Sequence, residues 1–262
     1  MLLTGKTVVV SGVGAGLGRE IAMACALDGA NVVLGARSVA NLEKVAAEIS
    51  SAVGPDKVAL LATDISQPAQ VQAIVDLAVA KYGALDGVVN CAAKDDVLGG
   101  IESTTDEQWR QTFEVNVFGT MNVVRAAVPH LEASKGCIVF IGSQTMLKPP
   151  AQMAQVAYAA SKGALMAAMY HLAAELGPRG IRLNTVVPSW MWGPPVEMYC
   201  NWIANDKGIT VEEARLSLAK EIPLRDIASD EDVANAVTFF LSDRASMITG
   251  QSMLVNAGEY VR

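Results

Sequence analysis

The chain has 262 residues, 52% of them hydrophobic and 18% charged, which excludes a disordered protein and allows a core burying roughly 75% of the unfolded surface. Its net charge of −7 at pH 7 is the wrong sign for an electrostatic hold on phosphate backbones, so nucleic acid is not expected as a partner. The longest unbroken apolar runs, Ile21–Leu27 and Ala164–Tyr170, have seven residues each, far below the roughly 18 of a membrane span.

Met1–Val10 runs straight into a strand-like pattern without a basic start, apolar stretch and cleavage site, so a cytoplasmic protein is expected. Cys25, Cys91, Cys137 and Cys200 form no C-x-x-C pair and are expected as reduced, buried thiols. His130 and His171 are too isolated to build a metal site, and no metal is expected.

In chain order, strands are predicted at Thr7–Val10, Asn31–Leu34, Val58–Ala62, Gly87–Val89, Cys137–Ile141, Arg182–Val187 and Ser252–Val255. Their nearly continuous apolar character is that of strands covered on both faces. Between them the pattern predicts helices at Leu17–Asp28, Leu42–Ser51, Ala69–Lys81, Asp106–Ala133, Ala154–Leu176 and Glu231–Leu241. Strand–helix alternation of this kind argues for one α/β domain, a doubly wound parallel sheet of about seven strands with helices on both faces. Residues 188–224 break the rhythm with Trp190, Trp192, Gly193, Pro194, Pro195, Met198, Tyr199 and Trp202, followed by a helical patch near Val211–Glu221. A long segment between core elements is expected to serve as a lid or binding loop.

The first strand leads into Ser11-Gly12-Val13-Gly14-Ala15-Gly16-Leu17-Gly18, and a helical pattern follows. The spacing is G-x-x-x-G-x-G, through Gly12, Gly16 and Gly18, rather than G-x-G-x-x-G. Glycines there let backbone approach a pyrophosphate resting on a helix N-terminus. This turn, so placed in a chain of this length, resembles that of the short-chain dehydrogenase/reductase family, and the match runs over the whole chain except 188–224. The resemblance implies a Rossmann-type fold.

Tyr158-Ala-Ala-Ser-Lys162 places a phenol and an ammonium at i and i+4 on one helical face. A cation beside a phenol favours phenolate, so Lys162 is expected to lower the pKa of Tyr158. Ser143 follows an apolar strand, where its hydroxyl faces the crevice of an open sheet. Asn116 lies in the long helical stretch. The resemblance makes Asn116, Ser143, Tyr158 and Lys162 a catalytic tetrad. In it Tyr158 exchanges the substrate's proton, Ser143 bonds the substrate oxygen, Lys162 also contacts the nicotinamide ribose, and Asn116 anchors a water of the proton relay.

The resemblance also implies cofactor contacts from Ser11, Gly12, Gly16, Leu17 and Gly18, from Asp64 and Ile65 beside the adenine, from Asn90 and Ala92, from Tyr158 and Lys162, and from Pro188 and Met191. Cys91 and Ala93 depart from the family's Asn-Asn-Ala-Gly, and Gly193 stands where a cofactor-binding threonine is common. About 20 residues past the glycines, where NAD sites carry an acid, the chain has Ala36 and Arg37. Arg37 can grip a 2′-phosphate, so NADP(H) is expected, with NAD(H) still possible.

The expected activity is hydride transfer between that cofactor and an alcohol/carbonyl pair. The aromatic segment points to a bulky, lipophilic substrate. Alternatives are a 3-oxoacyl-carrier reductase and a non-catalytic dinucleotide sensor. A homotetramer or homodimer is implied by the resemblance.

Overall fold

The computed structural model describes residues 1–150 and 154–261. Its strands are β1 Thr7–Ser11, β2 Asn31–Ala36, β3 Val58–Ala62, β4 Gly87–Asn90, β5 Cys137–Ile141, β6 Arg182–Pro188, β7 Met191–Trp192, β8 Ala228–Ser229 and β9 Ser252–Val255. The helices are α1 Leu17–Leu27, α2 Val39–Val53, α3 Pro68–Tyr82, α4 Asp106–Phe113, α5 Thr120–Ser134, α6 Val156–Leu176, α7 Pro194–Lys207, α8 Val211–Ala219 and α9 Asp230–Leu241.

Seven strands form one parallel sheet in the order β3-β2-β1-β4-β5-β6-β9. Alternate side chains go to opposite faces. Val8, Val10, Val32, Leu34 and Val139 pack with α1, α2 and α9, while Val9, Val33, Val88, Ile138 and Phe140 pack with α3, α5 and α6. Both faces are therefore covered, as the unbroken apolar runs require. The strand order reverses direction between β1 and β4, and in such sheets a crevice opens there beyond the strands' C-terminal ends.

All seven predicted strands are present. The structure lengthens α2 to begin at Val39, because the Ser38 hydroxyl accepts from the Asn41 N–H and caps the helix. It also breaks the expected helix over Asp106–Ala133. Between α4 and α5, Glu114–Gly119 forms a wider, π-helical turn. Two contacts accompany the turn: Asn116 reaches backbone across the cleft, and a Cβ on Gly119 would stand 2.8 Å from Ile65 Cγ1.

The segment after β6 is more ordered than its composition indicated. Met191–Trp192 pairs in parallel with Ala228–Ser229, and the Pro194-Pro195 pair opens helix α7. Proline suits a helix's first turn because the N–H it lacks has no partner there. Helices α7 and α8 pack on each other around Cys200, Ile203, Ala204 and Ala214.

Candidate active site

The turn after β1 is built by close backbone approach. Gly12 has φ +83°, and a Cβ on it would stand 2.3 Å from the Ala92 nitrogen. A Cβ on Gly18 would stand 2.2 Å from the Gly12 carbonyl oxygen, so neither position accepts a side chain. Gly14 faces open space, and Gly16 forms the N-cap of α1. The Ser11 hydroxyl is committed to strand pairing, donating to the Val89 carbonyl at 3.2 Å.

A cleft of about 570 Å³ opens beside this turn, lined by Gly12, Gly14, Arg37, Asp64, Ile65 and Ala92. Ser38, Asn41, Thr63, Lys94, Asp95 and Asp96 line it too, and the sequence reading had not singled these out. Ser38 and Asn41 carried a signal, a helix cap directly after Arg37. Asn90, buried at the end of β4, has both side-chain polar atoms without a partner among the described residues. An open glycine at a helix start, a basic end at Arg37 and an orphaned amide fit a nicotinamide dinucleotide. Leu17 and Gly18 sit in the first turn of α1, Pro188 ends β6, and Met191 packs partly against the core below α1 and α9. A separate cavity of about 240 Å³, containing the Lys6–Asp243 ion pair, lies at the strands' opposite ends.

The four tetrad candidates converge where β5 ends and α6 begins. Ser143 favours the ionised form of the Tyr158 phenol and accepts from the Thr145 hydroxyl at 2.9 Å. The Lys162 ammonium donates to the Ile141 carbonyl at 2.7 Å and sits 5.6 Å from the centre of the Tyr158 ring. Asn116 accepts from Lys94 N–H at 2.6 Å and donates both to the Lys94 carbonyl, at 3.1 Å, and to the Ser161 hydroxyl, at 2.9 Å. Ser161 donates in turn to the Tyr158 carbonyl at 2.7 Å. The π-helical turn is what carries Asn116 to these partners.

The protonation balance differs from the expectation of a phenol lowered by its lysine. Burial pushes Tyr158 above its ordinary value, the charge of Asp95 adds to the rise, and the Ser143 hydroxyl opposes it. Burial likewise brings Lys162 down to about 8, against the charges of Cys91 and Asp95. Desolvation sets the direction, and the Lys162 ammonium, directed at the Ile141 carbonyl, is not among the causes that shift the phenol. Burial also pushes the Cys91 thiol up to about 12. Asp95 is itself exposed and lines the cleft.

The expected aromatic cap is arranged otherwise. Trp190, Tyr199 and Trp202 form a stack, with ring centres 5.6 and 6.0 Å apart. Trp192 packs with Ile222 and Ile227 beneath the Arg215 guanidinium, 5.1 Å from its ring centre. Only Trp202 and Met198 of this group are well exposed, at 61% and 71%.

A doubly wound sheet, a glycine-built turn after its first strand and a tyrosine paired with a buried lysine are together the features of an NAD(P)-dependent oxidoreductase. The chain belongs to the short-chain dehydrogenase/reductase family. The family model described as enoyl-(acyl carrier protein) reductase matches residues 12–259. An uncharacterized oxidoreductase of Methylorubrum extorquens is 35% identical over 263 residues, covering 99% of each chain. A 3-oxoacyl-(acyl-carrier-protein) reductase of Staphylococcus aureus is 30% identical, over 98% of this chain and 98% of its own. The structure of L-sorbose reductase from Gluconobacter frateurii, complexed with NADPH and L-sorbose, is similar with TM-score 0.91 and 29% identity, covering 99% of this chain and 98% of that one. No helix among the described residues is long and apolar enough to cross a membrane.

Proposed function

We propose that the chain transfers hydride between NADP(H) and a lipophilic secondary alcohol or ketone, with Tyr158 exchanging the proton. The observation that carries this reading is the convergence of Ser143, Tyr158, Lys162 and Asn116, the last bonded to Lys94 in the lining of the cleft that also holds Arg37. NADP(H), which the glycine turn and Arg37 would hold, would supply or accept the hydride when bound. In the reducing direction the raised phenol stays protonated at neutral pH, so Tyr158 holds the proton that the new alkoxide needs. Ser143 orients the carbonyl oxygen by a hydrogen bond, and Asn116 fixes the Lys94 backbone that lines the cleft. Lys162 carries positive charge below pH 8 and favours the oxyanion as it forms.

The lipophilic reading now rests on Trp202 and Met198 in the segment after β6, with the exposed Leu98 and Ile101 in the loop after β4. That loop is tied to α6 near Tyr158, since Gly99 N–H donates to the Ala154 carbonyl and Val156 N–H to the Gly99 carbonyl. We infer that 188–224 acts as a lid over the substrate. A second reading, a hydroxyl-rich ketose, draws on Asp95, a carboxylate whose charge reaches Tyr158 and whose oxygens accept hydroxyl donors. Steady-state rates with NADPH and NADH on hydrophobic ketones, ketoses and a 3-oxoacyl thioester decide among these. Turnover preferring NADPH and hydrophobic ketones is expected. Preference for NADH, or for ketoses or thioesters, overturns the corresponding part, and binding without turnover on any substrate overturns the enzyme reading.

A further inference from the structure

The carboxylate of Asp230 sits in an unusual place. In the parallel register of β7 and β8, Trp192 lies beside Ser229, and this carries Gly193 next to Asp230. Asp230 Oδ2 is 3.0 Å from where a Cβ on Gly193 would stand and 3.4 Å from where one on Gly16 would stand. Gly16 is the N-cap of α1, Gly193 is the N-cap of α7, and Asp230 itself opens α9. One carboxylate thus lies between three helix N-termini, one of them the seat assigned above to the pyrophosphate.

Helix N-termini favour anions, yet this one is poorly served. No group among the described residues donates a hydrogen bond to the Asp230 side chain. Helix α7 begins with Pro194 and Pro195, which have no N–H to offer. The ionisable groups that couple to it are Glu20 from α1 and the Cys91 thiol after β4, and the first turns of the adjoining helices add only acids, Glu197 on α7 and Glu231 and Asp232 on α9, the last bonded to Ser229. The neighbouring cation, Arg19, is held by Glu20 and Glu48. Burial and the charge of Glu20 accordingly push the Asp230 carboxyl up to about 6.

We propose that Asp230 is a resident negative charge at the phosphate seat that takes up a proton when the dinucleotide binds, making cofactor affinity proton-linked through the contact between the glycine turn and the lid. The proposal rests on the reading that the glycine turn holds the pyrophosphate. An anion on the other side of Gly16 repels the carboxylate and favours its neutral form. Each unit by which binding raises that pKa makes the cofactor tenfold weaker for the ionised protein than for the protonated one. Gly193 belongs to the same device: any side chain there would press on the Asp230 carboxylate. Asp230 is a positioning residue, since it acts through the turn.

The test is the Kd of NADPH between pH 5.5 and 8.5 for wild type, Asp230→Asn and Asp230→Glu. Wild type should weaken over this range about tenfold more than Asp230→Asn, with the two within about twofold at pH 5.5, and Asp230→Glu should restore the slope. Titration of the 2′-phosphate is common to all three and cancels. Should Asp230→Asn not fold, calorimetry of ADP-ribose binding to wild type at pH 7, in buffers of different ionisation enthalpy, reads the same quantity, and net proton uptake is expected. Parallel slopes, or binding without proton uptake, overturn this proposal alone. No NADPH binding at any pH overturns the cofactor reading and this one with it.

Discussion

The turn after β1 and the segment after β6 both lie at the C-terminal edge of the same sheet, but different forces hold them. The turn is held by backbone against backbone: Gly12 against Ala92, and Gly18 against the Gly12 carbonyl. The segment after β6 is held by side chains against side chains, through the Trp190–Tyr199–Trp202 stack and the Arg215–Trp192 contact. Backbone contact fixes which residue type is allowed and leaves a mark in the sequence. Side-chain packing admits several arrangements of the same residues and leaves a weaker one. The first region is therefore readable, while the second is the one whose arrangement the proposed lid role needs to be adjustable.

If chemistry is separable from both regions, a change confined to the phenol oxygen should disturb neither. Tyr158→Phe is expected to lower kcat by about 10² to 10⁴, with NADPH Kd unchanged within a few fold. Lys162→Ala should lose turnover as well and also weaken NADPH binding if, as its place in the proposed tetrad requires, its ammonium serves both. Stopped-flow turnover with fluorescence titration of NADPH makes the distinction. Near-normal rates in Tyr158→Phe would remove the phenol from the mechanism.

Within the glycine turn, the comparison sharpens to two positions of identical residue type. Gly18→Ala puts a methyl 2.2 Å from a carbonyl oxygen, whereas Gly14→Ala meets nothing within 4 Å. Overpacking of this kind costs about 1–3 kcal/mol or more, which lowers Tm by roughly 5 °C or beyond. Gly14→Ala should leave Tm within about 1 °C. Thermal melts of the free protein report both, and equal losses would mean that backbone contact does not hold the turn.

The same contrast explains what the sequence could and could not disclose. The seven strands were readable because burial on both faces forces unbroken apolar runs such as Val8–Val10 and Ile138–Ile141. Tyr158 and Lys162 were readable because helical spacing is fixed by geometry. The π-helical turn at Asn116 was not, since one extra residue in a turn changes no hydrophobic period and its partners, Lys94 and Ser161, come from elsewhere in the chain. The desolvation that pushes Tyr158 up was unreadable for a related reason: sequence places a cation nearby but does not say which groups surround the phenol. Helix α7 was missed because its Pro194-Pro195 start reads equally as a loop, and only the packing of Ile203 and Ala204 against Ala214 makes it a helix.

The smallest expected effects separate the two tryptophans that bound the adaptable region. Trp192 fills the space beneath Arg215, beside Ile222 and Ile227. Removing it loses burial of about 1.5–3 kcal/mol and a cation–π contact of about 0.5–1 kcal/mol. Trp192→Ala should loosen α7 and α8 together, with faster amide exchange in both helices and KM raised for substrates of every size. Trp202, 61% exposed at the end of its stack, holds little structure. Trp202→Ala should leave amide exchange unchanged and raise KM a few fold, on the order of 1 kcal/mol, for bulky hydrophobic ketones alone. Should Trp202→Ala affect small and large substrates alike, its exposed face does not meet substrate, and the lipophilic reading loses its main support on the lid side.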